Sequence, residues 1–135
     1  AAEAEGRAAI AGITLGLDLT LRDVQNILKK NGHPWEVAKA FDGAAPLAPF
    51  MAPAAFGDLL DTTFSLTVNG ELRQQGNTAD MITPVLALLQ YISTIFTLLP
   101  GDVVMTGTPE GVAALHSGDV LVLTLGALSA ETVIQ

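Results

Sequence analysis

The sequence predicts an α+β fold rich in β-structure, with two or three helices. Three observations carry that prediction. Leu21, Val24, Ile27 and Leu28 form an apolar stripe at helical spacing, and Thr83-Pro84 opens a second helical segment. Thr62 to Val68 alternates as a strand and runs into Asn69-Gly70, the strongest hairpin signal in the chain. Gly101-Asp102-Val103-Val104 and Gly118-Asp119-Val120-Leu121 read as two turn-plus-strand units.

Taken in order, residues 1–12 are Ala-rich and read as a short helix ending near Gly12. Ile13 to Leu19 alternates loosely and is expected as a strand carrying Asp18 near its end. Thr20 is placed to cap the next helix, Lys29 and Lys30 suit its last turn, and Gly32 suits its stop. Residues 32–57 hold Pro34, Pro46, Pro49 and Pro53, and are expected to be irregular but ordered, anchored by Trp35, Phe41, Phe50 and Phe56. The hairpin returns through Glu71 to Gln75. The helix opened by Thr83-Pro84 is expected to run to about Phe96. Val103–Met105 is expected as a short buried strand, and Val120–Leu125 as another. At 135 residues the default is one domain.

Composition excludes several classes. Half the residues are apolar and 15% are charged, which supports a packed core rather than disorder. Six basic residues against fourteen acidic ones give a formal charge of −8, with no basic stripe to neutralise phosphate. Neither a nucleic acid nor a membrane is expected as a partner. The apolar stretch Val85 to Leu99 is too short and too polar to span a bilayer. The chain has no cysteine, so it has no disulfide framework and no thiol nucleophile. The expected location is cytoplasmic.

Few residues could carry chemistry. Asp18 is followed four and seven residues on by Arg22 and Gln25, which share a helix face. A carboxylate can hold a hard cation, and Arg can grip a substrate carboxylate with two parallel hydrogen bonds. By spacing alone, a surface ion pair on a solvated helix face is the favoured account of them. Lys39 lies between Trp35 and Phe41, where partial desolvation would suit a fixed cation; a snorkelling surface lysine is the other reading. Thr106-Gly107-Thr108-Pro109-Glu110-Gly111 forms a tight loop whose backbone N–H groups and Thr108 hydroxyl could hold an anionic oxygen. It lacks the Gly-Lys-Ser/Thr ending of a phosphate loop and could be an ordinary turn. His33 and His116 have no metal-ligand spacing and read as loop residues, and Glu3 and Glu5 read as solvent-facing.

The motifs in sequence order say more. Asp18-Leu-Thr20-Leu-Arg22-Asp23-Val-Gln25 resembles the Asp-x-Thr-x-Arg-Asp-x-Gln signature of the fumarylacetoacetate hydrolase family. Pro34-Trp35-Glu-Val-Ala-Lys39-Ala-Phe41 resembles its Pro-Trp-x-x-Ala-Lys-x-Phe segment. Val68-Asn69-Gly70-Glu-Leu-Arg73-Gln74-x-Gly76-Asn-Thr78 resembles its hairpin. Pro100-Gly101-Asp102 and Thr106-Gly107-Thr108-Pro109-Glu-Gly111-Val112 resemble its last block. The resemblance covers nearly the whole chain.

It implies a roll-like, β-rich core of the family's C-terminal domain type and a homodimer. It also implies Mg²⁺ (or Mn²⁺) as cofactor and a small keto or diketo acid as substrate. Carried over residue by residue, it makes Asp18 a metal ligand, Lys39 and Gln25 catalytic, and Arg22 and Thr108 substrate-binding. The implied reaction is cleavage of a C–C bond, as in acylpyruvate hydrolases and oxaloacetate decarboxylases; isomerisation of unsaturated keto acids uses the same framework. The chain departs from the family in one respect. Members carry a Glu-x-Glu metal pair upstream of the aspartate, and the similar branch has a His-Glu pair in an N-terminal lid. Glu3-Ala4-Glu5 lies too near Asp18 to take the first role, and no histidine precedes Asp18. The reading is therefore of a catalytic domain lacking its N-terminal portion. A non-catalytic binding or structural module is the alternative from another class.

Overall fold

Asn69 and Gly70 adopt φ values of 52° and 82°, the two positive angles that a two-residue hairpin turn of type I′ demands. They join β1 (Thr63–Val68) to β2 (Glu71–Asn77). The computed structural model containing this hairpin describes residues 2–135, with side chains from residue 5 onward. β3 (Val120–Leu125) and β4 (Leu128–Val133) complete an antiparallel four-stranded sheet of order β2-β1-β3-β4. The architecture is α+β. Among the described residues three helices exceed one turn: α1 (Ala2–Ala9), α2 (Arg22–Asn31) and α5 (Val85–Ser93). Single turns α3 (Glu36–Lys39) and α4 (Pro53–Phe56) lie between α2 and the sheet in sequence.

The chain divides into two compact units, one of Ala1–Leu15 with Pro49–Gln135 and one of Gly16–Ala48. In the first, the core lies on one face of the sheet. Leu121, Leu123 and Leu125 of β3 are buried and stand opposite Val68, Leu66 and Phe64 of β1. The period-two spacing of β3 puts all three leucines on one side. α1 packs on α5, whose Leu86 is buried. The β1–β2 register slips between Leu66 and Thr67, leaving Arg73 as the extra residue of a bulge.

Several expectations are corrected. Ile13 to Leu19 is not a strand: Ile13 forms an isolated bridge to Met51, and Gly16 one to Leu47. Pro46 and Pro49 supply no N–H on the opposing segment, so no continuous ladder can form. Val103–Met105 is neither buried nor a strand; Val103 is 49% and Met105 45% exposed. Both edges of β3 are already taken by β1 and β4, so the second turn-plus-strand unit has a partner and the first has none in the sheet. α5 ends at Ser93 rather than near Phe96, because the Ser93 and Thr94 hydroxyls donate back to the Gln90 and Tyr91 carbonyls. β4 is a strand beyond those expected, and Leu128 to Val133 alternates in exposure. Of the expected anchors of the proline-rich stretch, Phe41 and Phe56 are half-buried, whereas Trp35 and Phe50 are 44% and 54% exposed; the buried residues of the stretch are Ala38 and Ala44.

Candidate functional site

The unit Gly16–Ala48 carries four of the five expected site residues. Its Leu17 and Leu19 N–H groups donate to the Pro46 and Ala44 carbonyls at 3.0 and 2.9 Å. That pairing holds 17–19 extended, so Leu17 is buried and Asp18 points the other way, into solvent. Next, Leu21 N–H donates to the Ala38 carbonyl at 3.1 Å, which ties the start of α2 to the single turn α3. Ala38 is fully buried, and no larger side chain could sit at that junction without displacing it.

The tie brings Lys39 back to a residue twenty-one positions earlier. Its Nζ donates to Asp18 Oδ1 at 2.6 Å and to Thr20 Oγ1 at 2.9 Å. Both ends of the ion pair remain about a third or more exposed, so solvent screens it and it is worth little as a source of stability. Its consequence is geometric: a flexible lysine is held in one place. What holds it is a pair of oxygen acceptors, from Asp18 and Thr20.

Arg22 and Gln25 also meet. Arg22 Nη1 donates to Gln25 Oε1 at 2.7 Å, as their i and i+3 positions on α2 allow. Gln25 is 8% exposed and is the buried residue of α2, whereas Leu21 and Ile27 of the expected apolar stripe are 41% and 62% exposed. The inward face of α2 is thus centred on an amide. Thr20 does not cap α2, because Leu21 occupies the N-cap position without a side-chain bond. Gly32 does close the helix, with its N–H and that of His33 returning to Lys29 and Leu28 carbonyls.

Thr108 belongs to the other unit and is exposed on the 106–111 loop. That loop is seated on β2. Gln74 Nε2 donates to the Pro109 carbonyl at 3.0 Å and to the Glu110 carbonyl at 3.4 Å. Gly111, at φ 95°, lies against the Arg73 carbonyl oxygen at the bulge, where any Cβ would collide with backbone. Gln74 was not singled out by its chemistry, and only contact across the sheet edge reveals its part. His33 and His116 are exposed loop residues, as expected; Glu5 is exposed, and the side chain of Glu3 lies outside those described.

Among the described residues no group of three or more His, Cys, Asp or Glu side chains could hold a metal ion. Asp18 is a single carboxylate already engaged by Lys39, and Mg²⁺ dehydrates too reluctantly to be held by one such ligand. The described residues do not by themselves make a metal centre. No helix among them is long and apolar enough to cross a membrane.

Residues 1–133 match the family described as fumarylacetoacetate (FAA) hydrolase, C-terminal. The chain is 56% identical over 133 residues to oxaloacetate tautomerase YcgM of Escherichia coli, covering 98% of this chain and 61% of that protein. A fumarylacetoacetate hydrolase family protein from Yersinia pestis superposes with a TM-score of 0.94 at 52% identity, covering 100% of this chain and 64% of that one. Fumarylpyruvate hydrolase from Pseudomonas aeruginosa, solved in complex with Mn²⁺ and pyruvate, superposes with a TM-score of 0.89 at 36% identity, covering 98% and 58%. The chain therefore spans about three fifths of the length of these relatives.

Proposed function

The chain belongs to the fumarylacetoacetate hydrolase family, and from that premise we propose that it is the catalytic domain of an enzyme acting on small keto acids through an enolate. The observation that carries the proposal is the fixed ammonium of Lys39. Two of its three N–H donors are committed, to Asp18 and to Thr20. The third has a defined direction and no partner among the described residues. An oxygen that gains negative charge as a keto acid enolises is what such a donor stabilises.

The other residues suit the same chemistry. Arg22 keeps donors beyond the one given to Gln25, and a guanidinium binds a substrate carboxylate in a planar fork. Gln25, with Oε1 accepting from Arg22, has its amide N–H₂ left to donate, in a buried setting where a hydrogen bond is poorly screened. Thr108 is the candidate carboxylate-binding hydroxyl of the 106–111 loop. In the whole protein a divalent cation, Mg²⁺ or Mn²⁺, is proposed to share Asp18 with ligands outside this chain, and a homodimer is the proposed assembly. The Mn²⁺ and pyruvate bound by the Pseudomonas aeruginosa relative support the cation and the substrate class.

Cleavage of a C–C bond, expected from the motifs, and keto–enol interconversion both pass through an enolate. The name of the 56%-identical Escherichia coli relative favours the second for oxaloacetate. One experiment separates them. The full-length protein is given oxaloacetate with Mg²⁺, the enol is followed by its ultraviolet absorbance, and pyruvate release is followed by coupling to lactate dehydrogenase. Accelerated loss of enol without pyruvate identifies a tautomerase. Pyruvate identifies a decarboxylase. Absence of both signals with oxaloacetate, together with no turnover of an acylpyruvate, returns the domain to the non-catalytic reading.

A further inference from the structure

Thr20 lies in the segment between Asp18 and Arg22, and its hydroxyl does not cap α2. It instead donates to the Asp18 carbonyl at 3.3 Å. A hydroxyl has one proton and two lone pairs, so committing the proton to Asp18 turns a lone pair outward. Lys39 Nζ lies on that side, 2.9 Å away. The Thr20 oxygen is therefore an oriented acceptor, fixed by its own backbone neighbourhood.

Asp18 alone would not orient the ammonium. A lysine paired with one exposed carboxylate can pivot about that contact, because four methylenes precede the charge and Asp18 is 41% exposed. A second acceptor at a fixed angle removes the pivot. With two N–H bonds set, the tetrahedral nitrogen has one remaining direction. We propose that Thr20 is a positioning residue, which aims the third N–H of Lys39 at the oxygen of the substrate where negative charge develops. The inference deepens the enolate reading and rests on it. A threonine kept only for packing would need its methyl and not its hydroxyl.

The test compares Thr20→Val, Thr20→Ala, Thr20→Ser and Lys39→Ala in the full-length enzyme, by steady-state kinetics with saturating Mg²⁺. Circular dichroism reports folding. Valine keeps the shape and removes the acceptor, and serine keeps the acceptor. Thr20→Val is expected to lower kcat by about 10- to 100-fold, the usual range for a hydrogen bond to a charged group. KM should change by less than about twofold, because the interaction acts as charge develops. Thr20→Ser should recover most of the loss. The rate at which an amine-directed reagent labels Lys39, read by peptide mass, should rise in Thr20→Val, since the ammonium is freed. Normal kcat in Thr20→Val beside an impaired Lys39→Ala would overturn the positioning role and leave the lysine reading intact. Normal kcat in both would overturn the two together. If Thr20→Val and Thr20→Ala both fail to fold, or serine fails to rescue, the hydroxyl is a structural bond and the proposal falls.

Discussion

The sheet and the Gly16–Ala48 unit use their residues in opposite ways. In the sheet, three buried leucines of β3 face Val68, Leu66 and Phe64 of β1, and the interactions that matter are apolar contacts within one regular register. In Gly16–Ala48 the buried residues are Leu17, Ala38, Ala44 and the amide-bearing Gln25, and regular structure is limited to α2 and one turn. What that unit has instead is a set of directed polar bonds: Lys39 to Asp18 and Thr20, and Arg22 to Gln25. The difference teaches that apolar burial and the aiming of charged groups are divided between regions. Substitutions should accordingly separate stability from catalysis.

The largest effect is expected at Leu121, which is fully buried. Leu121→Ala should lower the unfolding free energy of the full-length protein by about 2–5 kcal/mol, through lost transfer energy and the cavity left behind. Urea denaturation measures this, while kcat per folded molecule should stay near wild type. A fall in kcat of the folded fraction would break the division. Lys39→Ala is the converse. It should cut kcat by about 100- to 1,000-fold, the usual cost of one donor to a developing oxyanion, with the urea midpoint nearly unchanged. A near-normal kcat would remove Lys39 from the chemistry. In steady-state kinetics Arg22→Ala should raise KM and leave kcat much less changed than Lys39→Ala does, since a carboxylate clamp holds ground and transition states alike.

Smaller effects sharpen the comparison within the sheet. Asn69 holds a positive φ, donates from Nδ2 to Asp119 Oδ1 at 2.8 Å, and accepts the Val120 N–H at 2.9 Å. Asn69→Ala should cost about 1–3 kcal/mol in urea denaturation, from an unfavourable left-handed residue and lost hydrogen bonds, with no change in KM. The smallest effect is the pH dependence of the same clasp. The His116 backbone N–H, and after it the Asn69 amide, hold the Asp119 carboxyl below its ordinary value of 3.8. A carboxyl lowered by folding stabilises the protein above its unfolded value, and that contribution fades as the pH falls through the lowered folded value. Comparing thermal midpoints of wild type and Asp119→Asn, the wild-type advantage should be full at neutral pH and shrink below about pH 4. An advantage that grew on acidification would contradict the clasp.

Much of this was legible locally. The hairpin followed from Asn69-Gly70, because few residue pairs accept two consecutive positive φ angles. The end of α2 followed from Gly32. The two Gly-Asp units were recognised as alike, and they build the same turn: Asp102 Oδ2 accepts from Leu99 N–H and Asp119 Oδ2 from His116 N–H, both at 2.8 Å. β4 could have been found from Gly126 and the alternation after it. The motif order marked Asp18, Arg22, Gln25, Lys39 and Thr108 as candidates.

Sequence by itself determined the features whose cause lies within a few residues: turn type, helix stop, the i and i+3 meeting of Arg22 with Gln25, and the identity of the groups available for chemistry. Tertiary structure decided everything that needs a partner from elsewhere in the chain. After identical turns, Val120–Leu125 became a strand and Val103–Met105 did not, because a strand exists only where another backbone completes its hydrogen bonds. The bulge at Arg73 gained its meaning from Gly111, thirty-eight residues on. Lys39 could not be assigned its acceptors from spacing, since the Leu21–Ala38 backbone bond is what returns it to Asp18 and Thr20. Local preferences are short-ranged and can be read from neighbours in the chain; the direction of a charged donor depends on where distant backbone brings its acceptors.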